Sequence, residues 1–124
     1  MTPDLIAGRY KVVRAVGRGG MGTVWLCRDE VLGREVAVKQ IGALPGESAT
    51  DAARALREAR SSAALNHRNV VSVFDIVDTE DGNAWLVMEY VPSRTLGEII
   101  REEGRLRPRR AAWIGAQVAD GLAA

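Results

Sequence analysis

Residues 17–24 read Gly17-Arg18-Gly19-Gly20-Met21-Gly22-Thr23-Val24, four glycines within six positions followed at once by a β-branched pair. The spacing is GxGxxGxV. Glycine at these places lets main-chain N–H groups approach a phosphate where a Cβ would collide. Alone, the pattern fits a glycine-rich hairpin turn equally well. Two sharper readings fail on context. In a dinucleotide-binding turn the last glycine opens a helix, whereas Thr23-Val24-Trp25-Leu26 is strongly β-prone. A nucleotide-triphosphatase loop needs a following Gly-Lys-Ser/Thr, and none follows.

Tyr10 to Val16 is β-prone, so a strand feeds the glycine stretch. Thr23 to Cys27 forms a second strand, residues 29–33 a turn, and Glu35 to Ile41 a third, which predicts an antiparallel meander. Pro45-Gly46 breaks the pattern. Ser48-Ala49-Thr50-Asp51 resembles a capping box opening a helix that runs to about Leu65, and residues 66–69 end it. Val70 to Val77 and Ala84 to Val91 follow as strands around an Asp81-Gly82 hairpin signal. The order βββαββ predicts an α+β fold, a five-stranded antiparallel sheet with one packed helix.

Beyond Pro92 the strand signal stops and helical patterns take over. Thr95 to Glu98 is a second capping box, starting a short helix through about Arg101, and Pro108 suits the first turn of a final helix. Arg107 before it is a poor cap whose charge opposes the helix dipole, so that terminus is expected to fray. Ala111, Ile114, Val118 and Leu122 still recur at helical spacing when the chain stops at Ala124, which reads as truncation. The expected organisation is a lead over 1–9, a first lobe over 10–91 and the start of a second over 92–124.

Composition narrows the function. Apolar side chains make up 47% and charged ones 27%, normal for a soluble domain. A net charge of +1 gives no footprint for nucleic acid or an anionic membrane. The longest apolar runs fall far short of the roughly 20 residues that cross a bilayer. The N-terminus has no basic start and long apolar stretch, so it is not read as a signal peptide, and a cytoplasmic location is expected. Cys27 is the single cysteine and His67 the single histidine, which excludes an intramolecular disulfide and a Cys/His metal site.

Val36-Ala37-Val38-Lys39 puts a lone lysine among apolar residues on the strand after the glycine stretch. Such a cation is costly unless a counter-charge or phosphate compensates it. Glu58 lies on the predicted helix, where Ala55, Ser62 and Leu65 share its face and would allow close approach to the sheet. Intrahelical pairing with Arg54 is the plainer alternative for it.

Together with the Asn66-His67-Arg68-Asn69-Val70-Val71 turn and Leu86-Val87-Met88-Glu89-Tyr90-Val91, these motifs make the chain resemble the N-terminal lobe of a protein kinase. The texture is closest to bacterial Hanks-type serine/threonine kinases. The resemblance covers nearly the whole sequence. It implies ATP as cofactor, cradled by Val16, Gly17, Arg18, Gly19, Gly20, Met21, Gly22 and Thr23. Val24 and Ala37 would sandwich the adenine, Met88 would stand as gatekeeper, and the Glu89 carbonyl and Val91 backbone would bond the adenine edge. Lys39 would contact the α- and β-phosphates and pair with Glu58. Thr95 occupies a place near the ribose in such kinases, yet the capping box explains it without a ligand. His67 would be structural, in a turn that anchors the helix.

Ser62 departs from the family's usual apolar residue behind Glu58. More seriously, no His-Arg-Asp, Asp-Phe-Gly or Ala-Pro-Glu segment occurs. The ligands for Mg²⁺ and the base for the substrate hydroxyl are therefore expected beyond Ala124, and the 124 residues alone are expected to be inactive. The implied activity is transfer of the ATP γ-phosphate to protein Ser or Thr hydroxyls by a longer parent, which downstream could be membrane-anchored. The competing reading is a non-catalytic binding module that engages a partner through Ile114, Val118 and Leu122.

Overall fold

A computed structural model describes residues 4–19, 22–41, 57, 61, 64–79 and 82–124. Among them, residues up to Asn66 together with Ser72–Tyr90 form one compact unit, and His67–Val71 with Val91–Ala124 form a second.

The first unit is a six-stranded antiparallel sheet: β1 (Leu5–Ile6), β2 (Tyr10–Gly19), β3 (Gly22–Asp29), β4 (Arg34–Ile41), β5 (Val73–Asp78) and β6 (Ala84–Glu89). Their spatial order is β1-β2-β3-β4-β6-β5. Five of the strands are those expected from the sequence. The sixth, β1, falls in the stretch read as a lead, because two residues carry no measurable alternation. A tight turn makes it a strand: Ala7 and Gly8 both adopt positive φ, and the Arg9 N–H donates to the Ile6 carbonyl at 3.1 Å. Strands β2 and β3 stay paired as far as Gly19 opposite Gly22.

Strand β5 begins at Val73, three residues later than the apolar run suggested. The Val70 N–H is spent on a turn to the His67 carbonyl at 3.0 Å, so Val70 and Val71 do not join the ladder. Pairing with β6 starts where the Glu89 N–H donates to the Ser72 carbonyl at 2.8 Å. Of the helix expected from Ser48 to about Leu65, only Arg57, Ser61, Ala64 and Leu65 are described. Arg57 and Ser61 are helical, and Glu58 and Ser62 lie outside the described residues.

Alternation fills the core from one face of the sheet. Tyr10, Cys27, Val36, Val38, Trp85 and Val87 are buried with Ile6, and Val12, Trp25 and Val77 pack on them. At roughly 1.5–3 kcal/mol per buried large side chain, this face is the main source of sheet stability. The indole Nε1 of Trp85 is the one buried side-chain polar atom among the described residues without a partner. Asp29 is buried too.

The second unit holds α1 (Leu96–Glu103) and α2 (Pro108–Leu122). The capping box at α1 is complete: Thr95 Oγ1 accepts from the Glu98 N–H at 3.1 Å, and a Glu98 carboxylate oxygen accepts from the Thr95 N–H at 3.4 Å. Helix α2 opens on Arg107 with no side-chain cap and Pro108 in its first turn. The 67–71 segment packs on its last turns. The Asn69 amide donates to the Gln117 carbonyl at 3.0 Å, and His67 Nδ1 accepts from the Asn69 N–H at 3.0 Å. On the rest of α2, Ile114 is half-buried while Val118 and Leu122 are exposed. No helix among the described residues is long and apolar enough to cross a membrane.

Candidate nucleotide site

Residues directly opposite one another in an antiparallel ladder share a face, with Cβ atoms about 4.5–5.5 Å apart. The register therefore defines two rows across the face opposite the core. One runs Gly17, Val24, Lys39, Leu86, Ile76, and the other Arg14, Leu26, Ala37, Met88. A Cβ built on Gly17 would lie 4.0 Å from that of Val24, in agreement with this facing. Four residues singled out in the sequence, Val24, Ala37, Lys39 and Met88, thus meet on one surface. Ala37 is buried, and the other three are half-buried.

The chemistry of that surface is uneven in a useful way. Val24, Leu26, Ala37 and Met88 offer flat apolar area, whereas Lys39 puts one cation at its side, and neither row contains a carboxylate. Among the described residues Lys39 has no ion-pair partner. A half-buried ammonium on an apolar face is the complement of a ligand with a planar apolar end and an anionic end. Leu26 and Leu86 also belong to this face. The period-two pattern that selected Val24 and Met88 holds for them as well, and is the signal that could have found them.

The remaining expected site residues fall differently. Val16 is the extra residue at the β-bulge between Ala15 and Gly17. Gly22 has φ 105°, a conformation other residues rarely adopt. Arg18 pairs with Thr23, one step out of phase with the Val24 row, so both side chains lie on the opposite face from Lys39. Gly20, Met21 and Glu58 lie outside the described residues. The Glu89 side chain accepts a hydrogen bond from the Ser72 N–H at 3.2 Å and the Glu89 N–H donates to the Ser72 carbonyl at 2.8 Å, so both of these groups are engaged within the sheet. Val91 is exposed and belongs to the second unit. At the edge of the rows, Arg14 donates to the Tyr90 hydroxyl at 3.4 Å. Cys27 is on the core face, where burial pushes its thiol up to about 11, so it is no nucleophile for this site. Among the described residues no group of three or more His, Cys, Asp or Glu side chains could hold a metal ion.

A sheet of this order, with a lysine on the strand that follows the glycine hairpin, is consistent with the first lobe of a protein kinase domain. Residues 10–124 match the protein kinase domain family. The chain belongs to that family. It is 40% identical over 118 residues to the serine/threonine-protein kinase PrkC of Bacillus subtilis, covering 95% of this chain and 18% of that protein. It is likewise 40% identical over 124 residues to the serine/threonine-protein kinase PknB of Mycolicibacterium smegmatis, covering 98% of this chain and 20% of the relative. PknB of Mycobacterium leprae is 37% identical over 124 residues, with the same coverage. The chain spans about a fifth of the length of these relatives.

Proposed function

We propose that a longer protein carrying this chain transfers the γ-phosphate of MgATP to serine or threonine hydroxyls of proteins, and that this chain supplies its nucleotide-binding part. The single observation that carries the reading is Lys39 sharing a row with Val24, on the same face as the neighbouring row of Ala37 and Met88. In this reading Val24 and Ala37 enclose the adenine with Met88 at the back of the slot, and the Glu89 carbonyl bonds the adenine edge. Residues 16–23 present main-chain N–H groups to the phosphates, with Arg18 and Thr23 contributing main chain only. Lys39 holds the α- and β-phosphates and Glu58 orients Lys39. A magnesium ion would supply charge neutralisation at the phosphates, and in this reading side chains of the longer protein, not those of this chain, would hold it. Residues 10–91 are the clamping lobe, 92–124 open the second lobe, and the segment works in the cytoplasm. The names of the relatives support the serine/threonine preference.

Replacing Lys39 by Met in the longer protein tests this. Transfer of labelled phosphate from ATP to a protein acceptor should fall at least a hundredfold with the thermal unfolding profile kept. Undiminished transfer would remove Lys39 from the site and the reading with it. The 124-residue chain alone should show no transfer.

A further inference from the structure

Thr23 and Arg18 face each other across the root of the glycine hairpin, on the side away from Lys39. Arg18 is exposed and Thr23 half-exposed. Three other hydroxyls among the described residues are already engaged. That of Thr79 donates to the Asn83 carbonyl, that of Ser93 donates to the Val91 carbonyl, and that of Thr95 caps α1. Among the described residues the Thr23 hydroxyl has no hydrogen-bond partner, and the residue directly opposite it in the ladder is Arg18. Opposite residues in such a pair are close enough for a phosphate ester on one to accept paired hydrogen bonds from an arginine on the other.

From this juxtaposition, and resting on the kinase reading above, we infer that Thr23 is a phosphorylation site that lowers nucleotide affinity, with Arg18 as the clamp that holds the phosphate. The Thr23 oxygen attacks the γ-phosphorus of ATP, and the bond from that phosphorus to the β–γ bridging oxygen breaks. ADP leaves, and the hydroxyl proton passes to the kinase base and then to solvent. The products are phosphothreonine, ADP and one proton. Because Thr23 lies on the face opposite Lys39, a nucleotide held by the same hairpin cannot donate to it, and transfer is between two molecules. The product carries about −1.5 to −2 charge at neutral pH. It sits one strand residue, about 3.3 Å along the chain, from Val24. That is within a Debye length of about 10 Å of the site for the ATP phosphates, so like charges repel across the strand.

The test uses the longer protein. After incubation with MgATP, peptide mass spectrometry should find phosphothreonine at position 23, and a Lys39→Met copy should gain it only when mixed with the active protein. Separately, Thr23→Glu should bind ATP on the order of tenfold more weakly than the neutral Thr23→Gln at low salt. That gap should shrink as salt is raised and widen when Arg18→Gln is added. Phosphate on other residues but not on Thr23, or equal affinities for the Glu and Gln variants, would overturn the inference while leaving the kinase reading intact. No phosphate on any residue would remove the kinase reading, and this inference with it.

Discussion

Arg9 and Asp29 meet through two parallel hydrogen bonds, Nε to one carboxylate oxygen and Nη2 to the other, each 2.9 Å long. The first of those oxygens also accepts from the Val31 N–H at 2.9 Å and the Leu32 N–H at 3.1 Å. Asp29 is 1% exposed, so four charge-assisted bonds offset the cost of burying its charge. The same group fixes the β3–β4 turn and ties it to the start of β2, where the Glu30 N–H donates to the Arg9 carbonyl at 3.0 Å. Asp29→Ala strands two main-chain donors and a guanidinium, and should cost about 2–4 kcal/mol in chemical denaturation. A loss under about 0.5 kcal/mol would mean the turn holds without the carboxylate.

The same contact sets an acid response. The Arg9 guanidinium and the two turn N–H groups hold the Asp29 carboxyl down at about 2, below its ordinary 3.8. A depressed carboxylate pKa contributes stability that is fully present above the unfolded value and is lost as pH falls through the folded one. Melting temperature followed downward should therefore lose the Asp29 contribution between about pH 4 and pH 2. Asp29→Asn should be less stable at neutral pH and should lack this part of the decline. Parallel curves for the two proteins would remove Asp29 as the cause.

Two glycines on α2 should respond oppositely to the same substitution. A Cβ on Gly115 meets nothing within 4 Å, so Gly115→Ala should stabilise by about 0.5–1 kcal/mol through helix propensity alone. A Cβ on Gly121 would lie 3.2 Å from Val70 Cγ2 and 3.4 Å from both Cβ and the carbonyl oxygen of Asn69. Asn69 is held by its bonds to Gln117 and His67 and cannot step back easily. Gly121→Ala should then destabilise by about 1–2 kcal/mol, crowding outweighing propensity. Equal stabilisation by both would show that the 67–71 segment yields.

What the sequence made legible follows from which signals are local. Strands β2, β3, β4 and β6 show in alternation and turn residues, and the Thr95–Glu98 cap in its own four residues. The face shared by Val24, Ala37, Lys39 and Met88 was also within reach, because period two fixes a face once a strand is assigned. Asp29 was not. It read as an ordinary turn residue, and only the fold brings Arg9, twenty positions away, to it. Nor does any local signal mark Gly121, whose place depends on Asn69 and Val70, some fifty residues earlier. The late start of β5 has the same origin, since Val70 is β-prone by type but its N–H serves a turn.

Ala37 offers the sharpest test of the nucleotide face because its size does two things at once. It is buried between Leu26 and Met88 in the same row, so a leucine there forces those neighbours aside at about 1–3 kcal/mol. In the proposed reading it also fills the slot meant for adenine. Stability alone would not separate the two effects, since overpacking lowers melting temperature whatever the face does. The change in melting temperature on adding ATP does separate them, because a ligand stabilises only the state that binds it. The parent should gain several degrees at saturating ATP, and Ala37→Leu should melt lower and gain nothing. Ala37→Gly, which leaves the slot open, should also melt lower yet keep most of the ATP-induced gain. If the leucine variant kept the full gain, the adenine would lie elsewhere, and the row of Leu26, Ala37 and Met88 would be only a second packing surface.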